Sequence, residues 1–476
     1  MSDLIQQAYD AETFRAAGHR LIDLLADKLT EVLSGQVPKV LEWSEPPDAF
    51  ARIHEYFDGA KEDLFERTWQ DCIRLHDPRF VGHQICPPVP IASLAGLMSD
   101  FVNNGMGIYE MGIAGTCMER YVVETVARQF GFDDSAGGVL TSGGSLGNLT
   151  ALLAARQTIA QTDVWELGTA EPFAVMVSDQ AHYCVDRAVR IMGWGEDGLI
   201  KLPTKNYQVD CERLEEELNK ATESGRQVIA VVGSACCTAT GQFDDLKKMG
   251  EFCRQHEIWF HVDGAHGAAS AFSTKYRHLV DGIEMADSVV MDFHKMLLTP
   301  AITTALVFRD GGQAFQSFSQ KALYLLDDQH EWFDLAKRTF ECTKTMMSLK
   351  VFSILVAHGL QIFDDYVTKV TDLAREFASE IAQQDDFELA IEPQTNIVCF
   401  RFVGGEAGSS DLSQLNELNR RLRFEVMSSG KFYLVQTTLD GTVWLRTTLS
   451  NPFTTLEHLR QLLDEIRTLV SRISNA

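Results

Sequence analysis

The chain has 476 residues, of which 45% are hydrophobic, and carries a formal net charge of −25. A chain of this length can bury a substantial core and is too long for a simple binding module. The negative charge repels polyanions, which argues against nonspecific binding to nucleic acid or to anionic lipid surfaces. An anionic small-molecule substrate remains possible, because a local cluster of donors in a cleft can outweigh the global field.

The cysteines and the first residues bear on the cellular compartment. The 10 cysteines contain no CxxC pair and lack the dense spacing of a disulfide framework, which favours a reducing cytoplasm. The first residues, MSDLIQQAYD, are polar and acidic rather than basic and then apolar. No stretch approaches the roughly 20 apolar residues that a membrane-spanning helix needs. We therefore expect a cytoplasmic protein that binds neither membrane nor nucleic acid.

Helical and strand-like patterns divide the chain into three parts. Residues 1–80 are predicted to be helical, because LIDLLADKLTEVL and AFARIHEYF carry apolar residues at helical spacing on either side of SEPPD. Residues 81–370 are assigned to a large α/β domain. Its apolar runs FAVMVSD, QVIAVVGSA, IWFHVDGA and DSVVMD are typical of buried strands. Strands separated by helices predict a mostly parallel sheet with helices on both faces.

The C-terminal part, residues 371–476, is predicted to be a small α+β domain. NIVCFRF, FYLVQTT and TVWLRTTL have strand patterns, and helices are predicted near 411–426 and 454–472. A long helix is predicted before it, near 346–384. The segment 311–345 shows no clean period and is predicted to be a mobile, lid-like connection.

Candidate functional residues follow four strands of the large domain, where ligands of open α/β sheets collect. The first group is the turn TSGGSLGN at residues 141–148, whose glycines and hydroxyl groups open a helix. Backbone N–H groups and the partial positive charge of a helix N-terminus can hold a phosphate there without a lysine. A plain glycine-rich turn with Ser145 as the helix cap is the alternative interpretation.

The other three strand ends supply a histidine, an acid and a lysine. His182 follows FAVMVSD, a position where a lone histidine is more often a structural cap. Asp263 ends the IWFHVD run, and a carboxylate in such an apolar setting needs a cationic partner such as a pyridinium nitrogen. Lys295 follows DSVVM, and its apolar flanks favour a buried amine over a surface lysine. Desolvation is expected to lower its pKa.

Together these residues match the needs of pyridoxal 5′-phosphate. The turn would hold the phosphate, His182 would stack on the ring, and Asp263 would keep the ring nitrogen protonated so that the ring accepts electrons. Lys295, which lies 32 residues after Asp263, would hold the aldehyde as a Schiff base. The HxDxxH run from His261 to His266 could instead bind a metal, but His266 lies beyond the strand and no second ligand cluster is evident. We therefore predict no metal site.

The same residues resemble the group II pyridoxal-phosphate decarboxylases, relatives of the glutamate, cysteine-sulfinate, aromatic amino-acid and 2,4-diaminobutyrate decarboxylases. The likeness runs from HDPRF at residues 76–80 through His294 and Lys295 to LSNP at residues 449–452. It implies a fold type I homodimer whose N-terminal segment lies over the partner. It also implies an amino-acid substrate.

The resemblance implies a role for each matching position. Lys295 and His182 would be catalytic, and Ala265 would touch the ring face opposite His182. The implied cofactor contacts are Gly144, Ser145, His182, Thr238, Asp263, Ala265, Asp292, His294 and Lys295.

Three further positions are implied to contact the substrate. Arg446, in VWLRTTL, matches the arginine that acidic-substrate members use on a substrate carboxylate. An exposed arginine on a surface strand is the alternative. His83 and Gln84 fall where aromatic-specific members place aromatic side chains, so a polar substrate is favoured. The expected reaction is decarboxylation of a small polar L-amino acid, of the glutamate, aspartate, cysteine sulfinate or 2,4-diaminobutyrate class, to the amine and carbon dioxide.

One position departs from the family pattern. Counting back from RTFEC at residues 338–342 places Phe333 where family members carry a tyrosine that protonates the substrate carbon. Phenylalanine has no proton to give, although His182 or water could serve instead. Elsewhere in the family this replacement accompanies oxidative conversion to an aldehyde. Decarboxylation coupled to oxidative deamination, or other fold type I chemistry, is therefore the alternative function.

Overall fold

The computed structural model contains two compact units. The first comprises Met1–His83, Glu376–Ala390 and Val398–Ala476, and the second comprises Gln84–Arg375 and Ile391–Ile397. The two ends of the chain, which are predicted to form separate parts, thus lie in one unit. The structure describes residues 4–58, 64–169, 171–316, 318, 333–404 and 411–474.

The described residues form helices α1–α16 and strands β1–β13. The helices are Leu4–Ala8, Ala11–Leu33, Pro46–Asp58, Leu64–Asp71, Pro90–Val102, Ile113–Gln129, Gly144–Ile159, Val164–Leu167, Tyr183–Ile191, Leu214–Glu223, Leu246–His256, Phe293–Met296, Ser348–His358, Gln361–Ile381, Leu412–Ser429 and Leu456–Ser474. The strands are Gly137–Thr141, Phe173–Ser178, Leu199–Leu202, Thr204–Lys205, Gln208–Val209, Gln227–Ser234, Trp259–Asp263, Ser288–Asp292, Thr304–Phe308, Phe387–Leu389, Ile397–Phe402, Val435–Leu439 and Thr442–Thr448. None of the helices in the described ranges is long and apolar enough to cross a bilayer.

A seven-stranded sheet organises the second unit, in the order β1-β9-β8-β7-β6-β2-β3. Strands β3, β2, β6, β7 and β8 pair in parallel, whereas β9 runs antiparallel to both β8 and β1. The predicted mostly parallel sheet is confirmed. Because the parallel strands end at one edge, the polar residues that follow them are brought together there.

Successive strand residues face opposite sides of this sheet, as the two-residue period of a strand requires. Leu140 and Val289 belong to the core that includes residues of α6 and α11. Their chain neighbours Val139 and Val290 belong to the core that includes residues of α7 and α9. Helices therefore cover both faces, which explains why the central strands read as continuous apolar runs.

One detail of the second unit differs from the sequence prediction, and one prediction lies partly beyond what the structure describes. The prediction of a single long helix near 346–384 is wrong, because α13 ends at His358 and α14 begins at Gln361. Gly359 separates them with a φ of +66°, a left-handed conformation that glycine adopts without steric cost. The predicted lid-like connection 311–345 lies partly outside the described residues.

The first unit contains a four-stranded sheet in the order β10-β11-β13-β12. Strand β10 pairs antiparallel with β11, and β12 pairs antiparallel with β13. The N-terminal part of the chain joins this unit through backbone contacts, since the Val40 N–H donates to the Gly430 carbonyl at 2.8 Å. The Arg79 guanidinium in HDPRF pairs with Asp77 at 2.7 Å and donates to the Val37 carbonyl at 2.6 Å.

A buried ion pair supports strand β1 of the large sheet. The Lys344 Nζ lies 2.5 Å from the Glu119 Oε1, and the two side chains are almost fully buried. The backbone of Leu140 bonds to both partners, with its N–H donating to Glu119 at 2.9 Å and its carbonyl accepting from Lys344 at 2.6 Å. These bonds fix β1 one residue before the glycine-rich turn begins.

Candidate active site

A cavity of about 190 Å³ opens at the carboxyl ends of the parallel strands, within the second unit. All nine positions that the resemblance implies as cofactor contacts line it. Of the implied substrate residues, Gln84 belongs to this unit, and His83 and Arg446 belong to the other. The lining residues are Gly144, Ser145, Asn148, His182, Cys184, Ser234, Cys236, Thr238, Asp263, Ala265, His266, Asp292, His294 and Lys295.

Lys295 reaches the cavity from α12, the short helix that directly follows β8. Its Nζ lies 2.9 Å from the Asp292 Oδ2, and its side chain is 23% exposed. Burial lowers the pKa of Lys295, but the charge and hydrogen bond of Asp292, together with the charge of Asp263, raise it by more. The expectation of a lowered Lys295 pKa is therefore wrong, because the sequence pattern did not reveal the ion pair with Asp292.

Asp292 is the fixed counter-ion of this lysine. Its second oxygen accepts a hydrogen bond from the Thr304 hydroxyl on the neighbouring strand β9. The His294 Nε2 lies 3.7 Å from the carboxylate, and the other ring nitrogen of His294 lies 3.1 Å from the Thr303 carbonyl. The lysine is thus held at the cavity wall by groups that are themselves fixed to the sheet.

Asp263 ends β7 and presents a carboxylate to the same cavity with 9% of the residue exposed. Its Oδ1 accepts from the Ala265 N–H at 3.2 Å, and the Cys184 Sγ lies 3.8 Å from its Oδ2. Both of these donors are neutral groups, and the nearby Lys295 pairs with Asp292 rather than with Asp263. A buried carboxylate with neutral donors is suited to a cationic ligand group.

His182 is both a helix cap and a residue of the cavity wall. It is the N-cap residue of α9, where its Nδ1 accepts from the Cys184 N–H at 3.3 Å, and it also lines the cavity. Burial lowers the pKa of His182 despite the opposing charge of Asp263. The neutral imidazole is therefore the dominant form at neutral pH.

The glycine-rich turn places the start of α7 against the cavity. The helix begins at Gly144, and Gly143 occupies the cap position with a φ of 109°. The interpretation of Ser145 as the helix cap is therefore wrong. A β-carbon added at Gly144 would lie 3.4 Å from both carboxylate oxygens of Asp292 and 3.3 Å from the Ala265 β-carbon. The missing side chain keeps backbone N–H groups accessible to an anion.

These features fit pyridoxal phosphate part by part. The start of α7 suits the phosphate, the Asp263 carboxylate suits a protonated ring nitrogen, and Lys295 supplies the amine for the aldehyde. The rival metal interpretation lacks support, since the two histidines of HxDxxH bond to different amide side chains. His261 lies 2.7 Å from the Asn148 Oδ1, and His266 lies 2.7 Å from the Asn396 Oδ1.

Sequence reasoning missed several residues that line the cavity. Asn148 follows Gly144 by four residues on the same helix face, so spacing could have indicated it. Cys184 follows His182 by only two residues at the start of a helix, and helical spacing does not link these two positions. Ser234 ends β6, the strand between β2 and β7, and Cys236 follows two residues later. The sequence pattern gave no reason to place either residue in the site, although the resemblance implied the nearby Thr238.

The family model described as the pyridoxal-dependent decarboxylase conserved domain matches residues 45–403. The chain belongs to this family. It is a pyridoxal-phosphate-dependent amino-acid decarboxylase, and the predicted family and cofactor are confirmed.

Relatives of this decarboxylase extend over nearly its whole length. An aromatic-L-amino-acid decarboxylase from Bacillus atrophaeus is 26% identical over 486 residues, which cover 100% of this chain and 98% of the relative. An aspartate 1-decarboxylase from Aliivibrio fischeri is 29% identical over 87% of this chain and 84% of the relative. The crystal structure of mouse CSAD has a TM-score of 0.89 at 24% identity and covers 97% of this chain and 99% of that chain. This likeness confirms the predicted fold type I.

Proposed function

We propose that this decarboxylase converts a small polar L-amino acid, with an acidic side chain favoured, to its amine and carbon dioxide. The observation that carries the proposal is the burial of Arg446, which is 6% exposed on β13 rather than on a surface strand. Burial lowers the pKa of His83, and the positive charges of Arg446 and Arg423 lower it further. A positively charged region of the first unit favours carboxylates. Arg446 would bind one carboxylate of the substrate.

The cavity residues would divide the work as follows. Lys295 would hold the cofactor until substrate displaces it, and Asp263 would hold a positive charge on the ring nitrogen. Gly144 and Ser145 would bind the phosphate through the start of α7, and His182 would lie on the ring. When bound, pyridoxal phosphate accepts the electron pair that remains on Cα when carbon dioxide leaves.

One proton must then replace the lost carboxylate on Cα. The lowered pKa of His182 makes its imidazolium scarce at neutral pH, whereas the raised pKa of Lys295 keeps its ammonium form populated. We therefore favour Lys295 over His182 as the proton donor. Asp292, at 2.9 Å, would hold that ammonium in place.

Phe333 supports a second candidate function, oxidative conversion of the substrate to an aldehyde. Its ring packs against Tyr109 with centroids 4.5 Å apart and offers no exchangeable proton. If dioxygen oxidises the carbon before it is protonated, the products are carbon dioxide, ammonia, peroxide and an aldehyde. Product analysis separates this reaction from simple decarboxylation.

A product screen tests both functions. Purified protein with added pyridoxal phosphate is incubated with glutamate, aspartate, cysteine sulfinate, 2,4-diaminobutyrate and the aromatic amino acids, following carbon dioxide, amine, ammonia and peroxide. We expect one amine per carbon dioxide from an acidic substrate. Replacing Arg446 with methionine is expected to lower kcat/KM for that substrate roughly 10- to 100-fold, because a charge-assisted hydrogen bond is lost.

The matched control is Arg420→Met, since Arg420 lies on α15 in a largely exposed pair with Glu417. It should leave kcat/KM unchanged. Ammonia and peroxide in place of the amine would select the aldehyde reaction. Best turnover of an aromatic substrate, or equal effects of the two arginine variants, would overturn the assignment of an acidic substrate.

We further propose a homodimer in which the helical segment 1–80 contacts the partner. This segment exposes several large apolar side chains, a surface that suits a protein contact. They include Leu4, Phe14, Ile22, Leu25, Phe50 and Ile53. Sedimentation velocity should give about twice the 53.2 kDa chain mass, and a single species at the chain mass would contradict the dimer.

The 10 free cysteines support a reducing, cytoplasmic location.

A further inference from the structure

A continuous series of hydrogen bonds runs through the interior of the second unit and ends at the cavity. It begins where the Trp259 Nε1–H donates to the Ser288 Oγ at 2.9 Å. The Ser288 Oγ lies 2.8 Å from the His261 Nδ1, and the His261 Nε2 lies 2.7 Å from the Asn148 Oδ1. The series, which we call the Trp259–Asp263 relay, consists of Trp259, Ser288, His261, Asn148, Cys184 and Asp263.

The direction of each hydrogen bond in the relay follows from what its members can donate. The Asn148 amide N–H donates to the Gly144 carbonyl at 2.9 Å, so the amide oxygen must face His261. The His261 Nε2 must then carry the proton. Burial lowers the pKa of His261 to about 4, so the ring is neutral and its Nδ1 accepts from the Ser288 hydroxyl. The Trp259 indole can only donate. In each of these three bonds the donor is therefore the member on the Trp259 side and the acceptor is the member on the Asn148 side.

The last two bonds of the relay, which end at the cavity, have their donors and acceptors in the same order. The Asn148 Nδ2 donates to the Cys184 Sγ at 3.4 Å, and the thiol donates to the Asp263 Oδ2 at 3.8 Å. A carboxylate can only accept, so the thiol proton must lie toward Asp263. Burial and the charge of Asp263 raise the pKa of the Cys184 thiol, which keeps it protonated.

We propose that Asn148 and Cys184 are positioning residues that orient the Asp263 carboxylate toward the cofactor ring nitrogen and link it to the phosphate turn. Asn148 is the branch point, because one amide group bonds both to the Gly144 carbonyl and to Cys184. Cys184 is a weak donor, so it orients the carboxylate while leaving its charge available to a cation. The inference rests on the proposed role of Asp263.

A cofactor analogue separates this role from simple packing. 1-Deazapyridoxal 5′-phosphate has a carbon in place of the ring nitrogen, so it cannot use the Asp263 carboxylate. The quantity measured is the preference of each protein for pyridoxal phosphate over the analogue, as a ratio of dissociation constants. Cys184→Ala is expected to lower this preference at least about threefold, the scale of one weak hydrogen bond.

The matched control is Cys253→Ala, because Cys253 is equally buried in α11 and does not line the cavity. It should leave the preference unchanged. A Cys184→Ala preference equal to that of wild type would overturn the relay. Asp263→Asn is measured in parallel: if it too keeps the wild-type preference, the proposed role of Asp263 fails, and if it alone loses the preference, only the relay fails.

A double variant tests whether the members act as one series. Asn148→Ala should weaken binding of both ligands, because it also releases the Gly144 carbonyl, and should lower the preference as Cys184→Ala does. Adding Cys184→Ala to it should change the preference no further. Independent, multiplying effects would overturn the relay. If Asn148→Ala does not fold, the comparison of Cys184→Ala with Cys253→Ala decides alone.

Discussion

Replacing Lys295 with alanine is expected to abolish the visible absorbance of the bound cofactor and to reduce turnover on the order of 10⁴-fold or more, the scale seen when a covalent catalytic group is removed. Lys295 is the one lysine among the described residues that line the cavity, so no other amine there can hold the aldehyde. Absorbance titration with pyridoxal phosphate and the rate of carbon dioxide release measure the two effects.

The alanine variant also removes the cationic partner of the buried Asp292 carboxylate. A second variant therefore separates the loss of the imine from the loss of this ion pair. Lys295→Arg keeps a cation near Asp292 but cannot form the imine, because the guanidinium stays protonated. It should fold normally and remain inactive. Lys275→Ala is the control, since Lys275 is largely exposed and pairs with Asp372 at 2.6 Å. Turnover that survives in both Lys295 variants would contradict the assignment.

The strand ends were the most predictable part of the site. Apolar runs marked β7 and β8, and the rule that ligands collect beyond parallel strands then singled out Asp263 and Lys295. The same reasoning could not place β9, because an antiparallel strand inserted between β8 and β1 is a property of the sheet order rather than of a local pattern. Yet β9 supplies Thr304, which fixes Asp292.

Local sequence patterns could not predict pKa shifts or hydrogen bonds between residues far apart in the chain. The pKa of Lys295 depends on a competition between burial and the charges of two aspartates, and flanking residues reveal only the burial. His261 shows this. Its place in HxDxxH suggested a metal ligand as an alternative, whereas its ring bonds to Asn148 on α7, 113 residues away. Such partners become visible only when the sheet and its helices are assembled.

Replacing Asp263 with asparagine is expected to lower kcat on the order of 10³-fold while the visible cofactor absorbance remains. Asparagine keeps the size of the side chain and an acceptor for the Ala265 N–H, but it carries no charge to stabilise a protonated ring nitrogen. The electron pair left on Cα would then have a poorer acceptor, although Lys295 can still hold the cofactor. Steady-state kinetics combined with an absorbance spectrum distinguishes this result from that of Lys295→Ala, which loses both signals.

Asp244→Asn is the matched control for the loss of a buried carboxylate. Asp244 belongs to the same unit and accepts from the Ser234 N–H at 2.7 Å, and burial raises its pKa to about 6. It does not line the cavity, so its replacement should act on stability and leave kcat within about threefold of wild type. Asp263→Glu, which keeps the charge but moves it, should fall between wild type and Asp263→Asn. Full kcat in Asp263→Asn would mean that the ring nitrogen is not held by this carboxylate, and equal losses in Asp244→Asn would assign the effect to stability instead.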